Sequence, residues 1–177
     1  MTGRPITRDG PTASNWLCER IWSEFQAVSD STDQTRVSVI GIDGPTAAGK
    51  TSLAKAMRAY FETEDRECWI YQMDWTLVAR QERVRDLEFF QATEETFIYE
   101  GELHMRLQNA EAFLRRVTAF NQLEATSSDE IQEDIDLKNL YSRDDDGQEV
   151  GIASCRLRPG LIILVEGHYT LRTQLGR

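Results

Sequence analysis

Cysteine is scarce in this chain and poorly placed for covalent or metal chemistry. Three cysteines, Cys18, Cys68 and Cys155, lie far apart with no CxxC pair. An odd, scattered set excludes a disulfide framework or a zinc site and fits a reducing cytoplasm. Long apolar runs are also missing, and nothing approaches the roughly 20 residues that cross a bilayer. The opening MTGRPITRDG lacks the apolar core of a secretory signal. Positive charge is short, with 20 Lys and Arg against 30 Asp and Glu and a formal charge of −10. Such a surface repels phosphate backbones, so neither a nucleic-acid nor a membrane partner is expected. Lysine is scarce: of the 20 Lys and Arg, Lys50, Lys55 and Lys138 stand alone among arginines. There is no internal repeat. What remains is 177 residues, 40% hydrophobic and 28% charged, which suffices for one globular domain and its core but not for two.

Residues 1–34 read as a lead-in followed by a helix. Residues 1–12 show no periodicity, whereas Leu17, Cys18, Ile21, Trp22, Phe25 and Val28 recur at helical spacing, with Ser14 or Asn15 as the cap. Residues 35–177 read as an α/β core. Arg36–Ile42 is a β-branched strand, and Leu53, Ala54, Met57 and Phe61 define one face of a helix over Thr51–Phe61. Glu67–Met73 is a second strand. Strand, helix and strand in that order predict a parallel sheet with flanking helices and a right-handed crossover. An insertion at about 84–158 follows. Apolar residues over Thr93–Leu123 predict one amphipathic helix, or two with a break near Gly101. Acidic Thr126–Asp136 predicts a solvated loop or helix end, and Asp144-Asp145-Asp146-Gly147 a hairpin turn between Asn139–Arg143 and Glu149–Leu157. Those aspartates lack the alternating ligands and terminal glutamate of a calcium loop. Leu161–Val165 is a strand apolar on both faces.

The segment Gly44-Pro45-Thr46-Ala47-Ala48-Gly49-Lys50-Thr51 fits GxxxxGK[ST] without a mismatch. Glycines at the two ends let backbone N–H groups converge on phosphate oxygens, and the following helix, with Ser52 in its first turn, aims its positive dipole end at the same anion. Lys50 reaches β- and γ-phosphates as a compact point charge, and the Thr51 hydroxyl can ligate Mg²⁺. A flexible ammonium suits that position better than a planar guanidinium, which accounts for a lysine in an arginine-rich chain. A strand before and a helix after complete the context for nucleoside triphosphate binding.

Ligands of an open parallel sheet sit beyond the carboxyl ends of its strands, where this sequence presents Asp43, Asp74 and Glu166. Asp74 can take a proton from an acceptor hydroxyl during phosphoryl transfer, or merely cap a turn. Glu166 can hold Mg²⁺ directly or through water, or form an ion pair. Asp43 fits a role in holding loop amides as well as one in chemistry. Arg80 and Arg83 can clamp an acceptor or lie on a solvated helix face, and His168 lines the cleft or packs at its edge. His104 belongs to the core or to the acceptor pocket.

VIGIDGPTAAGKTSLA, QMDWTLVARQER and PGLIILVEGHYTLR together resemble the uridine kinase and phosphoribulokinase family of P-loop kinases, over about a quarter of the chain and in family order. LYSRDDDGQE, with Tyr141, resembles a hairpin that commonly precedes the last of these strands. The resemblance implies ATP- and Mg²⁺-dependent phosphorylation of a hydroxyl on a small molecule, a nucleoside or a sugar. It places Mg-ATP on Gly44, Gly49, Lys50 and Thr51, the general base at Asp74, and the metal at Glu166. A single Asp74 precedes Trp75 where family members often carry two acidic or polar positions. The family also continues past the Glu-Gly strand with an arginine-bearing lid and further strands, so a C-terminally incomplete core is expected, or one completed by another chain, a homo-oligomer included. The other reading is a nucleotide-binding regulatory or assembly module without acceptor turnover. A GTPase switch is disfavoured because no NKxD-like segment occurs.

Overall fold

A computed structural model describes residues 13–28, 35–93, 104–123 and 131–168. The N-terminal helix α1 spans Ala13–Val28, starting one residue before the expected caps, and buries Cys18 and Trp22. Strand β1 (Ser38–Asp43) leads through the glycine loop into α2 (Lys50–Thr63), whose Ala54, Met57 and Phe61 are buried. Strand β2 (Cys68–Gln72) ends in a short 3-10 turn, Met73–Thr76. Helices α3 (Arg80–Thr93) and α4 (Leu107–Gln122) follow, then β3 (Glu133–Ser142), β4 (Gln148–Leu157) and β5 (Ile162–Gly167).

The parallel sheet has the order β1-β5-β2. The expected βαβ unit is present, but its strands are not neighbours, because β5 pairs with both. Every residue of β5 is buried, and its side chains divide by parity. Ile162 and Leu164 join a core with Trp22, Ala54, Met57 and Phe61, under α1 and α2. Ile163 and Val165 join a second core with Tyr71, Met73, Phe113 and Val117, under α4 and the hairpin. A strand covered on both faces must be apolar throughout, which is why LIILV shows no alternation. Tyr71 and Phe113 stack with centroids 4.9 Å apart, and Trp69 and Trp75 complete the aromatic cluster. Such pairs each contribute about 1 kcal/mol beyond area burial. Asn121 of α4 binds the backbone of Val37 at both ends, accepting from its N–H and donating to its carbonyl at 2.8 Å each, in the manner of a strand partner.

Two expectations are corrected. A single helix over Thr93–Leu123 does not form: residues 104–106 are not α-helical, with Met105 bridged to Leu77. The Val78 N–H donates to the His104 carbonyl and the Arg106 N–H to the Thr76 carbonyl. Tertiary pairing with the segment after Asp74 thus overrides helical periodicity. The break expected near Gly101 lies outside the described residues. Glu133–Asp136 belong to β3 rather than to a solvated loop, because Ile135 is buried and Glu133 and Asp134 are neutralised by Arg116 and Arg156.

Candidate active site

The glycine loop is built by its own backbone. The Asp43 carboxylate accepts from the Gly44 N–H at 2.7 Å, which fixes the entry to the loop. Ala47 and Gly49 take left-handed conformations (φ 61° and 83°), so the chain reverses and enters α2 with its first amides facing outward. No side chain caps that helix, which leaves its N-terminal donors for an anion. The Lys50 ammonium donates to the Pro45 carbonyl at 2.8 Å, placing the charge across the loop mouth.

Two carboxylates face this loop from neighbouring strand ends. The Thr51 hydroxyl donates to Glu166 Oε1 at 2.9 Å, and Glu166 is itself buried. Asp74 lies in the turn after β2, where the Thr76 hydroxyl holds the Met73 carbonyl at 2.7 Å. The two strand ends approach closely because residue 167 is glycine. A Cβ there would meet the Met73 Cβ at 2.5 Å, and its φ is +147°.

The β3–β4 hairpin closes the far side. Its register shifts around Leu140, with Asn139 left-handed, so the adjacent residues Leu140 and Tyr141 are both buried. A bulge of this kind re-aims side chains that a regular strand would send to opposite faces. Arg83 of α3, 2% exposed, donates to the Tyr141 hydroxyl at 2.8 Å and stacks on its ring at 4.9 Å. The Arg80 N–H donates to the Gly147 carbonyl at 2.7 Å. Glu149 accepts from Arg106 and from the Ala79 N–H. The turn thus docks on the segment that follows Asp74, and Arg143 donates to Asp74 Oδ2 at 2.6 Å.

The result is a cleft with two lobes. One, of about 380 Å³, is lined by Thr46, Ala47, Gly49, Lys50, Ser52 and His168. The other, of about 440 Å³, is lined by Gln72, Trp75, Leu140, Tyr141, Ile152 and neighbouring turn residues. Thr51, Asp74, Arg143 and Glu166 line both and form the junction.

No protein-family model and no curated protein matches the sequence. Solved structures do. A possible uridine kinase from Bacillus stearothermophilus superposes with a TM-score of 0.60 at 21% identity, over 92% of this chain and 73% of that one. D-glycerate 3-kinase from Cryptococcus neoformans var. grubii gives 0.53 at 12% identity, over 89% of this chain and 53% of that one. The chain has the fold of the uridine-kinase-like P-loop kinases.

Within that kinase fold, the predicted residues fall into two groups. Thr51, Asp74 and Glu166 converge on the junction, Gly49, Lys50 and Ser52 line the loop lobe, and Gly44 is tied to Asp43. Tyr141 lines the second lobe. Arg80 and Arg83 do not line either lobe: Arg83 is buried beneath Tyr141, and Arg80 is exposed beside Asp146. His168 stands on the loop side, 2.7 Å from the Thr46 hydroxyl. His104 is buried against Asp86. Sequence reasoning missed that Arg143, Trp75, Gln72 and Ile152 line the cleft. Arg143 had one usable signal, its place beside Tyr141 at the root of an acidic turn. The three cysteines are buried and line neither lobe, and burial pushes the Cys68 and Cys155 thiols up to about 12. Among the described residues, no helix is long and apolar enough to cross a membrane.

The donor set fits Mg²⁺. A hydroxyl and a carboxylate 2.9 Å apart offer hard oxygen ligands without a closed cage, and no group of three or more His, Cys, Asp or Glu converges among the described residues. Mg²⁺ retains waters and phosphate oxygens, so a sparse protein set is what it uses.

Proposed function

We propose that this protein is an ATP-dependent kinase that phosphorylates a hydroxyl of a small, neutral, ring-bearing metabolite of the nucleoside class. The single observation that carries this reading is the two-lobed cleft whose junction holds Thr51, Asp74, Arg143 and Glu166. One lobe has the phosphate loop, the other has room for an acceptor, and the reacting groups stand between them.

In this reading the loop amides and Lys50 hold the triphosphate. Thr51 and Glu166 would hold Mg²⁺, which would supply positive charge against the triphosphate. Asp74 accepts the proton of the acceptor hydroxyl as its oxygen attacks, and the hairpin excludes water. The acceptor's class follows from the second lobe. Trp75 and Tyr141 offer flat aromatic walls, and Leu140 and Ile152 are apolar. Among the described residues, its charged side chains are Asp74, Asp144 and Glu166 against Arg143. That surplus of carboxylates opposes an acidic or phosphorylated acceptor and suits a neutral one.

Purified protein offered labelled ATP and a panel of nucleosides, free sugars, sugar phosphates and hydroxy acids should phosphorylate a neutral member. Asp74→Asn should lower kcat by about 10²–10⁴-fold, the usual contribution of a general base, with ATP affinity unchanged. Transfer at the wild-type rate in that variant would remove Asp74 from the role, and preferred transfer to a sugar phosphate would refute the acceptor class.

A further inference from the structure

Arg143 has a position that structural support alone does not explain. The arginines that fasten the hairpin, Arg83 through Tyr141 and Arg106 through Glu149, lie behind it. Arg143 instead projects forward and lines both lobes. Among the described residues, it and Lys50 are the basic side chains of lysine or arginine that line the cleft. Lys50 stands at the loop, on the donor side, while Arg143 arrives from the acceptor side, 2.6 Å from the Asp74 carboxylate.

Distance and charge then constrain what it meets. An acceptor hydroxyl hydrogen-bonded to Asp74 lies roughly 3 Å from that carboxylate, and its oxygen attacks a phosphorus about 3–3.5 Å away. The Arg143 guanidinium, already on Asp74, is therefore one rotation from the oxygens of the group in transit. Its side chain is 68% exposed, so that rotation meets no packed wall. The turn that carries it is pinned by Gly147, Glu149 and the Ser142 hydroxyl on Asp145, so the arginine's root stays fixed while its end turns.

We propose that Arg143 is a further catalytic residue, held on Asp74 before transfer and donating to the oxygens of the γ-phosphoryl group as it passes the junction. The proposal rests on the kinase reading above. In the step, the acceptor oxygen forms a bond to the γ-phosphorus and the bond from that phosphorus to the β-phosphate oxygen breaks. The bonding pair leaves with ADP and the hydroxyl proton passes to Asp74. Arg143 forms and breaks no covalent bond; it supplies a planar pair of N–H donors where charge develops.

The test compares wild type, Arg143→Ala and Arg143→Lys, full length, for affinity to ADP and to ADP with aluminium fluoride, a planar phosphoryl mimic, alongside kcat and acceptor KM. The Ala variant should bind ADP within about three-fold of wild type yet lose about 30-fold or more of the affinity gained with aluminium fluoride. Its kcat should fall by about 10³-fold or more, the range for arginines at transferring phosphoryl groups. Guanidinium ion should restore part of the Ala variant's rate, and Lys should retain an intermediate one. Unchanged aluminium fluoride affinity, with any loss confined to acceptor KM, would overturn the proposal in favour of a purely positioning role. If wild type binds ADP but transfers phosphate to no acceptor and gains nothing from aluminium fluoride, the kinase reading fails and the proposal with it.

Discussion

Replacing Gly167 with alanine tests how the carboxylates of Asp74 and Glu166 are brought together at the strand ends. The added Cβ would lie 2.5 Å from the Met73 Cβ, 3.1 Å from its Cγ and 3.4 Å from its Cα. Carbon atoms in contact sit about 3.5–4.0 Å apart, so something must move by about 1 Å. A rotamer change cannot relieve a clash with a Cβ, and Met73 is fully buried at 0% exposure. The strand end or the Met73–Thr76 turn must therefore shift. Overpacking of this kind costs about 1–3 kcal/mol, and a φ of +147° adds about 1–2 kcal/mol for a residue with a Cβ. Together they predict about 2–5 kcal/mol, a large part of a domain's total stability. Gly49→Ala is the control: its φ of 83° carries a similar strain, but nothing lies within 4 Å of the new Cβ. Urea unfolding should show the Gly167 variant losing well over 1 kcal/mol more than the Gly49 variant. Equal losses, or a Gly167 variant within about 0.5 kcal/mol of wild type, would refute the close approach of β5 to the Asp74 turn.

Other expectations are simpler. Lys50→Ala should weaken ATP binding by about 10–100-fold, the loss of a charge-assisted hydrogen bond of 1.5–3 kcal/mol, as read by calorimetry. Tyr141→Phe removes the hydroxyl that receives the buried Arg83, so thermal unfolding should show a loss of about 1–3 kcal/mol. Stability should also fall in alkali. Burial raises the Cys68 and Cys155 thiols from 9.0 to about 12 and the Tyr71 phenol above its usual 10. A raised folded-state value means that the stabilisation is complete below about pH 9 and is lost as pH climbs towards 12. Urea midpoints at pH 8 and pH 10.5 should differ accordingly, and a flat profile would contradict burial of these groups.

How far the site was legible depended on whether local sequence or tertiary contact determined each part. The loop from Gly44 to Thr51 is local: its glycines, lysine and threonine act through their own backbone and the helix they start. LIILVEG was legible because burial on both faces demands an unbroken apolar run. Strand order was not, since β5 inserts between β1 and β2 from more than ninety residues downstream and no local pattern encodes a neighbour. The hairpin was seen at its turn but cut short at its start, because the acidic residues of β3 resemble a loop until Arg116 and Arg156 are found beside them. The roles of the arginines were the least legible. Arg80 and Arg83 follow Asp74 in sequence yet serve the hairpin's footing, while Arg143, 69 residues further on, reaches Asp74 itself. Only the fold distinguishes a buried guanidinium from one that faces a cleft.

The central claim is that the junction passes a phosphoryl group from a nucleotide to a hydroxyl. Single-turnover transfer from γ-labelled ATP to a nucleoside, with product resolved from free phosphate, tests it most directly. Label should appear on the nucleoside's hydroxyl, dependent on Mg²⁺ and on Asp74. Tight ATP binding with the label recovered only as ATP or free phosphate, across every acceptor tried, would contradict it.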